Sequence, residues 1–163
     1  MRVLVYTSIF PSSREPIRGI YCMYRVRALA SYCDVQVVCP VTWTKRLTTP
    51  RQLFRQTTES PGGLKTYYPT FVSVTRFAPR KSASFMYHAT RQTVSRVRQG
   101  FPFDAILALW GYPDAAAALR FARDYDVPLV TNLLGSDINV LAQKPEVRPL
   151  VAEALQASAG VVA

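Results

Sequence analysis

Histidine is almost missing from this chain: His88 is the one histidine in 163 residues. A Ser-His-Asp device would have to use it, yet His88 sits in a basic helical stretch with no nucleophile motif beside it. Cysteine is scarce and odd in number. Cys22, Cys33 and Cys39 form no C-x-x-C pair and show no metal-ligand spacing, so they read as reduced, mostly buried thiols and no metal site is expected. The sequence lacks G-x-G-x-x-G, which argues against a nicotinamide or flavin dinucleotide site, and it lacks G-x-x-x-x-G-K-[ST], which leaves a P-loop unsupported. No apolar run approaches the roughly 18 residues that span a bilayer. The opening MRVLVYTSIF is too short for a secretory core and reads better as a buried strand, so a cytoplasmic location is expected.

Acidic residues are also few, 10 against 20 Lys and Arg, and the imbalance is local. Residues 1–100 hold 16 basic and 3 acidic side chains, whereas residues 101–163 hold 4 and 7. Arginine outnumbers lysine 16 to 4, a preference that suits phosphates on a nucleotide, a lipid headgroup or a nucleic acid. A solvated basic surface without a dedicated partner is the alternative. Apolar residues make up 49% and charged residues 18%, so the chain is globular and long enough for one domain with one core.

What is present is an alternation of strand and helix. Residues 2–8, RVLVYTS, are a β-branched run of the buried, parallel-sheet kind. After the loop SSREPIRG, residues 20–31 read as a helix with Ile20, Met23, Val26 or Ala28, and Ala30 inward, and residues 34–39 as a second strand. Residues 40–63 are irregular, with one short helix expected near 50–56; residues 64–68 and 70–77 look extended around Pro69. Residues 81–99 predict a helix with Phe85, Met86, Ala89, Val94 and Val97 on its apolar side and Gly100 as its stop. Strands at 104–110 and 127–133, helices at 113–125 and 146–157, and a strand beginning at 160 complete the pattern. Pro113 and Pro149 each fall where a first helical turn tolerates them. The pattern predicts an α/β fold, a Rossmann-like doubly wound parallel sheet covered on both faces. Ending as a strand begins is expected of a fragment cut at a motif boundary, with a natural edge strand as the alternative.

Ligands of such sheets bind outside the carboxyl ends of the strands, which singles out three loops. In TSIFPSSREPIRG, Gly19 precedes a helix whose amides would attract phosphate, or it merely permits the turn. In WGYPD, Trp110, Tyr112 and Asp114 offer aromatic faces beside a carboxylate, as sugar rings require; alternatively Asp114 caps the next helix while the aromatics pack. In LGSDIN, Ser136 and Asp137 are placed to bind substrate hydroxyls, or Asp137 satisfies nearby amides in an Asx-type turn.

Taken in order, TSIFPSSREPIRGIY, FDAILALWGYPDAAAA and VPLVTNLLGSDINVL resemble the N-terminal domain of glycosyltransferase family four, enzymes that build bacterial capsule, exopolysaccharide and cell-wall polymers. The resembling subgroup has T-S-x-[YF]-P, P-x-x-G-x-[FY], W-x-Y-P-D-G and H-G-S-D-I-N segments. The similarity covers residues 1–44 and 103–163. It implies the N-terminal, acceptor-side half of a GT-B fold spanning residues 1–163, whose missing C-terminal domain would bind the nucleotide-sugar. The implied reaction moves a sugar with retention from a nucleotide-sugar to a glycan or lipid-linked acceptor. No cofactor or obligatory metal is implied beyond the nucleotide-sugar co-substrate, and no turnover is expected of this chain alone. By position, the resemblance puts Gly19 near the donor diphosphate, Trp110, Tyr112 and Asp114 along the cleft, and Ser136 and Asp137 at the border of the transfer site.

The chain departs from the family at Leu107, Leu109 and Leu134, where histidines are common, and at Ala115, where glycine is usual. Leucine neither donates a hydrogen bond nor moves a proton, so any role those histidines have is not carried over. Lys81, Arg91, Arg96 and Arg98 on the predicted basic helix would face an anionic membrane, making the protein peripheral on the inner face of the plasma membrane. A stand-alone α/β module binding an anionic ligand or nucleic acid is the competing reading. The aromatics form no RNA-stacking motif, which disfavours nucleic acid.

Overall fold

The computed structural model describes residues 1–43, 57–72 and 78–163. The helix expected near 50–56 and the extended residues 73–77 lie outside the described residues. The strands are β1 (Arg2–Tyr6), β2 (Asp34–Val38), β3 (Val41–Thr42), β4 (Thr57–Glu59), β5 (Thr66–Tyr68), β6 (Thr70–Phe71), β7 (Ala105–Ala108), β8 (Leu129–Asn132) and β9 (Gly160–Val162). The helices are α1 (Ile20–Leu29), α2 (Ser82–Gly100), α3 (Ala116–Tyr125) and α4 (Arg148–Gln156).

Seven strands form one sheet in the order β4-β5-β2-β1-β7-β8-β9, and β3 pairs with β6 in a separate two-stranded ladder. All pairings in the large sheet are parallel except β4 with β5. β1 sits in the middle because its side chains are wanted on both faces. Val3 and Val5 pack with Cys22 and Val26 of α1, while Leu4 and Tyr6 pack with α2 and α3 through Met86, Val94 and Phe121. A continuous β-branched and aromatic run is the sequence form of a strand buried on both sides. The Ala-rich α3 buries Ala117, Ala118 and Ala122, small side chains that let it approach the sheet closely. The chain leaves β1 toward β2 and β5 on one side, then crosses back to β7 on the other. The strand order therefore reverses between β1 and β7, and their carboxyl ends flank the crevice where such sheets bind ligands.

The expected inner face of α2 needs correction. Phe85 and Ala89 are exposed, and Ser82, Ala83, Met86, Tyr87, Thr90, Thr93, Val94 and Val97 are buried. The stripe is phased by these residues, one step away from Phe85. Its polar members are accommodated by bonding inward: Thr90 Oγ1 donates to the Met86 carbonyl at 2.9 Å and lies 2.8 Å from the Tyr6 hydroxyl. Gly100 remains within the helix, which ends at Phe101. In α1 the buried positions are Cys22 and Val26, with Ile20 and Met23 only half-buried. Among the described residues no helix is long and apolar enough to cross a membrane.

Candidate functional site

Three loops leave the carboxyl ends of β1, β7 and β8, and the structure brings them onto one rim. Ile9 and Gly19 from the first, Trp110 from the second and Leu134 from the third line a single open hollow of about 590 Å³, with Tyr21, Cys22, Tyr24 and Arg25 of α1 as its other wall. A second hollow of about 470 Å³ continues beside it. Arg25 and Leu134 line both, joined in the second by Leu133, Gly135, Ile138, Asn139 and Ala163.

The first loop is long and firmly tied. The Tyr68 hydroxyl donates to the Pro11 carbonyl, and the Ser13 amide and hydroxyl donate to the two Glu59 carboxylate oxygens at 2.7 and 2.9 Å. Gly19 closes the loop with φ of +70°, just ahead of α1. A Cβ there would lie 2.5 Å from the Ile9 carbonyl oxygen, so both conformation and space require glycine. The permissive turn is thus established for Gly19, and its place on the hollow brings the start of α1 to the rim as well.

Asp114 joins the first loop to the second. It is fully buried, and its Oδ2 accepts the Ser8 amide at 2.5 Å. Oδ1 is buried with no hydrogen-bond partner among the described residues. Burial pushes its pKa up to about 7, with the Ser8 amide pulling the other way. Tyr112 is likewise buried, its hydroxyl donating to the Pro79 carbonyl ahead of α2, and the Tyr112–Pro113 peptide is cis. Trp110 alone of the three turns toward the hollow. Tyr112 and Asp114 are buried and line neither hollow.

Asp137 joins the second loop to the third. It is fully buried, with Oδ2 accepting the Gly111 amide at 2.8 Å and Oδ1 the Leu134 amide at 3.1 Å. This is the amide-satisfying role set out above as the alternative to substrate binding. Ser136 is exposed beside Gly135, whose φ of +100° makes the sharp turn. At the positions of the family histidines, Leu109 is buried and Leu107 half-buried in the core beneath α1, while Leu134 faces both hollows. His88 is exposed on α2 and lines neither hollow. The three thiols are all pushed up by burial, which disfavours their thiolate forms.

Arg25 belongs to no motif in the sequence, yet it stands at the rim. Arg25 donates to the Asn132 side chain at 3.0 Å, which ties α1 to the end of β8 and holds a guanidinium between the two hollows. Its signal was its position, one helical turn after Tyr21 on a helix whose start faces the rim. On the opposite face, Lys81, Arg91 and Arg96 are exposed. Arg98 is half-buried: it donates to the Phe103 carbonyl and lies over the Phe103 and Tyr125 rings at 4.6 and 5.6 Å.

With this geometry described, the chain can be set beside known proteins. No protein-family profile matches it. It is homologous, at 29% identity over 158 residues, to TuaC of Bacillus subtilis, a protein assigned to teichuronic acid biosynthesis as a glycosyltransferase. The match covers 86% of this chain and 38% of TuaC, so the chain spans well under half the length of that relative. Among solved structures, sucrose-phosphate synthase of Thermosynechococcus elongatus matches with a TM-score of 0.61 at 12% identity, over 98% of this chain and 41% of that one. The UDP-GlcNAc 2-epimerase of Methanocaldococcus jannaschii matches with a TM-score of 0.57 at 12% identity, over 99% and 38%. UGT89C1 of Arabidopsis thaliana, solved with UDP, gives 0.51 at 18% identity, over 98% and 41%. At these identities the structures speak for the fold alone.

Proposed function

Starting from a chain that is homologous to a polysaccharide-building glycosyltransferase and has the fold of the N-terminal half of GT-B enzymes, we propose that it forms the acceptor-side half of a sugar-transferring active site. A second domain, binding the nucleotide-sugar, would close over the rim and complete it. The observation that carries this reading is the hollow lined jointly by Gly19, Trp110 and Leu134, one residue from each of the three rim loops. In the proposed reaction the bond between the sugar and the nucleotide diphosphate breaks, a bond to an acceptor hydroxyl oxygen forms, and the hydroxyl proton leaves with the diphosphate. Retention of configuration, a lipid-linked glycan acceptor and independence of metal belong to the same proposal.

The residues take different parts. The start of α1 behind Gly19 supplies backbone amides toward the donor phosphates, and Arg25 adds a fixed positive charge beside them. Trp110 offers an indole face against which the C–H face of a sugar ring can stack. Ser136 offers a hydroxyl at the exposed edge. Asp114, Tyr112 and Asp137 are positioning residues that hold these loops in register rather than ligands.

The test is to express the chain extended by whatever sequence follows Ala163 and to screen nucleotide-sugars for transfer and for slow hydrolysis. Turnover that falls at least about tenfold in Trp110→Ala, with the protein still folded, is the expected result. An extended protein that binds no nucleotide-sugar, or a stop codon directly after Ala163, would count against the proposal.

A further inference from the structure

The face of the sheet covered by α2, α3 and α4 carries a small polar hollow that shares no residue with the rim. It measures about 110 Å³, and Arg80, Arg120 and Arg123 converge on it over a floor that includes Leu119 and Leu150. The one carboxylate present is Glu153, which pairs with Arg123 at 3.0 Å. Among the described residues no acidic side chain pairs with Arg80 or Arg120. Two guanidiniums in excess are thus gathered around one cavity.

Two of the three have side-chain partners on this surface. Arg120 donates to the Ser84 hydroxyl at 2.9 Å and lies over the Tyr87 ring at 5.6 Å, while Arg123 pairs with Glu153 at the exposed edge. Holding like charges together costs free energy that an anion recovers. The planar guanidinium fork matches the oxygens of a tetrahedral oxyanion better than it matches any other common anion except carboxylate. The hollow has room for one such group and not for a nucleotide.

We propose that Arg80, Arg120 and Arg123 form a binding site for a single phosphate group. The phosphate belongs either to a lipid headgroup or to a soluble phosphoester; the chemistry recognised is the same. The site does not rest on the sugar-transfer reading, because it lies apart from the rim and is tested without turnover. It also adds the seam between α2, α3 and α4 to the basic side chains that this face carries along α2.

The test follows the arginine side-chain Nε–H signals by NMR during titration with inorganic phosphate, with sodium chloride of equal ionic strength as control. Saturable shifts with one common dissociation constant at the three arginines are expected. Arg80→Gln/Arg120→Gln should weaken binding by at least about tenfold, and Arg91→Gln/Arg96→Gln by less than about twofold. If the first variant proves unfolded by circular dichroism, Arg80→Lys/Arg120→Lys keeps the charge, loses the fork and should still weaken binding severalfold. Shifts that fail to saturate, that chloride reproduces, or that survive whichever of the two site variants folds, overturn the site. Flotation with phosphatidylcholine vesicles containing phosphatidic acid then identifies the source. Vesicle binding that inorganic phosphate displaces assigns a lipid headgroup. Saturable phosphate binding without such displacement assigns a soluble phosphoester.

Discussion

The carboxyl of Asp114 lies sealed between the end of β1 and the loop after β7, with one oxygen on the Ser8 amide and the other facing no partner among the described residues. Its pKa stands at about 7 in the fold, against roughly 4 for an unfolded chain. The folded state therefore keeps a proton that the unfolded state releases. The stability associated with that proton is complete below about pH 4 and is lost as the pH climbs through about 7. Asp114→Asn retains a carbonyl oxygen for the Ser8 amide and has no charge to bury. Urea unfolding should show it gaining on the wild type as the pH rises from 4 to 8; a difference that does not change with pH would contradict this. Gly19 supports a simpler prediction. Gly19→Ala combines a positive φ with a Cβ placed 2.5 Å from the Ile9 carbonyl oxygen, so about 2 kcal/mol or more of stability should be lost in the same measurement. Gly19 was legible in the sequence because a glycine before a helix has few meanings. The buried state of Asp114 was not, since a carboxylate after a proline reads equally well as a cap or a ligand.

Between elements, the rim is held by two clasps of the same construction: a buried carboxylate accepting amides from a neighbouring loop. Asp114 links the β1 loop to the β7 loop, and Asp137 links the β7 loop to the β8 loop. Asp137→Ala leaves the Gly111 and Leu134 amides unpaired and should cost about 3 kcal/mol, with Asp137→Asn costing less. The tryptophan fluorescence of Trp110, next to Gly111, should report the loosened loop; an Asp137→Ala protein as stable as wild type would remove the clasp from the account. The long elements were readable from the sequence because periodicity carried them: β1, α1, β2, α2, β7, α3, β8 and α4 all fall where the alternation predicts. β4 was not, since Thr57–Glu59 is three polar residues at a sheet edge, paired antiparallel to β5. The phase of α2 is not legible because Phe85 and Ala89 are apolar yet exposed, while Thr90 and Thr93 are polar yet buried, Thr90 bonding to the Tyr6 hydroxyl and the Met86 carbonyl. The surroundings of Arg98 are hidden from the sequence for a related reason: its charge is visible there, but the aromatic rings it covers are brought to it only by the fold.

For the molecule as a whole, the fold sorts the two chemical surfaces. The rim gathers Trp110, Tyr21, Tyr24 and Arg25 around the larger of its two hollows. The α2–α4 face carries Lys81, Arg91, Arg96 and the arginines at its seam. If that face meets an anionic membrane, flotation should require anionic lipid and weaken as salt rises through the physiological range. Binding insensitive to salt, or none, would speak against a membrane role. The parallel sheet covered on both faces followed from the alternation of strand and helix, whereas the order of its strands is visible only in the fold. The convergence of Ile9, Gly19, Trp110 and Leu134 was predictable only as three loops at one end of a sheet; which side chains face outward is decided by the clasps beneath them. The most direct test of the shared rim is hydrogen exchange on the protein extended past Ala163, with and without UDP. The account predicts slowed exchange together at residues 19–25, 110–111 and 133–139, with the opposite end around Gly100 and Asp104 unchanged. Slowing confined to one of these loops, or spread over the far end of the sheet, would contradict it.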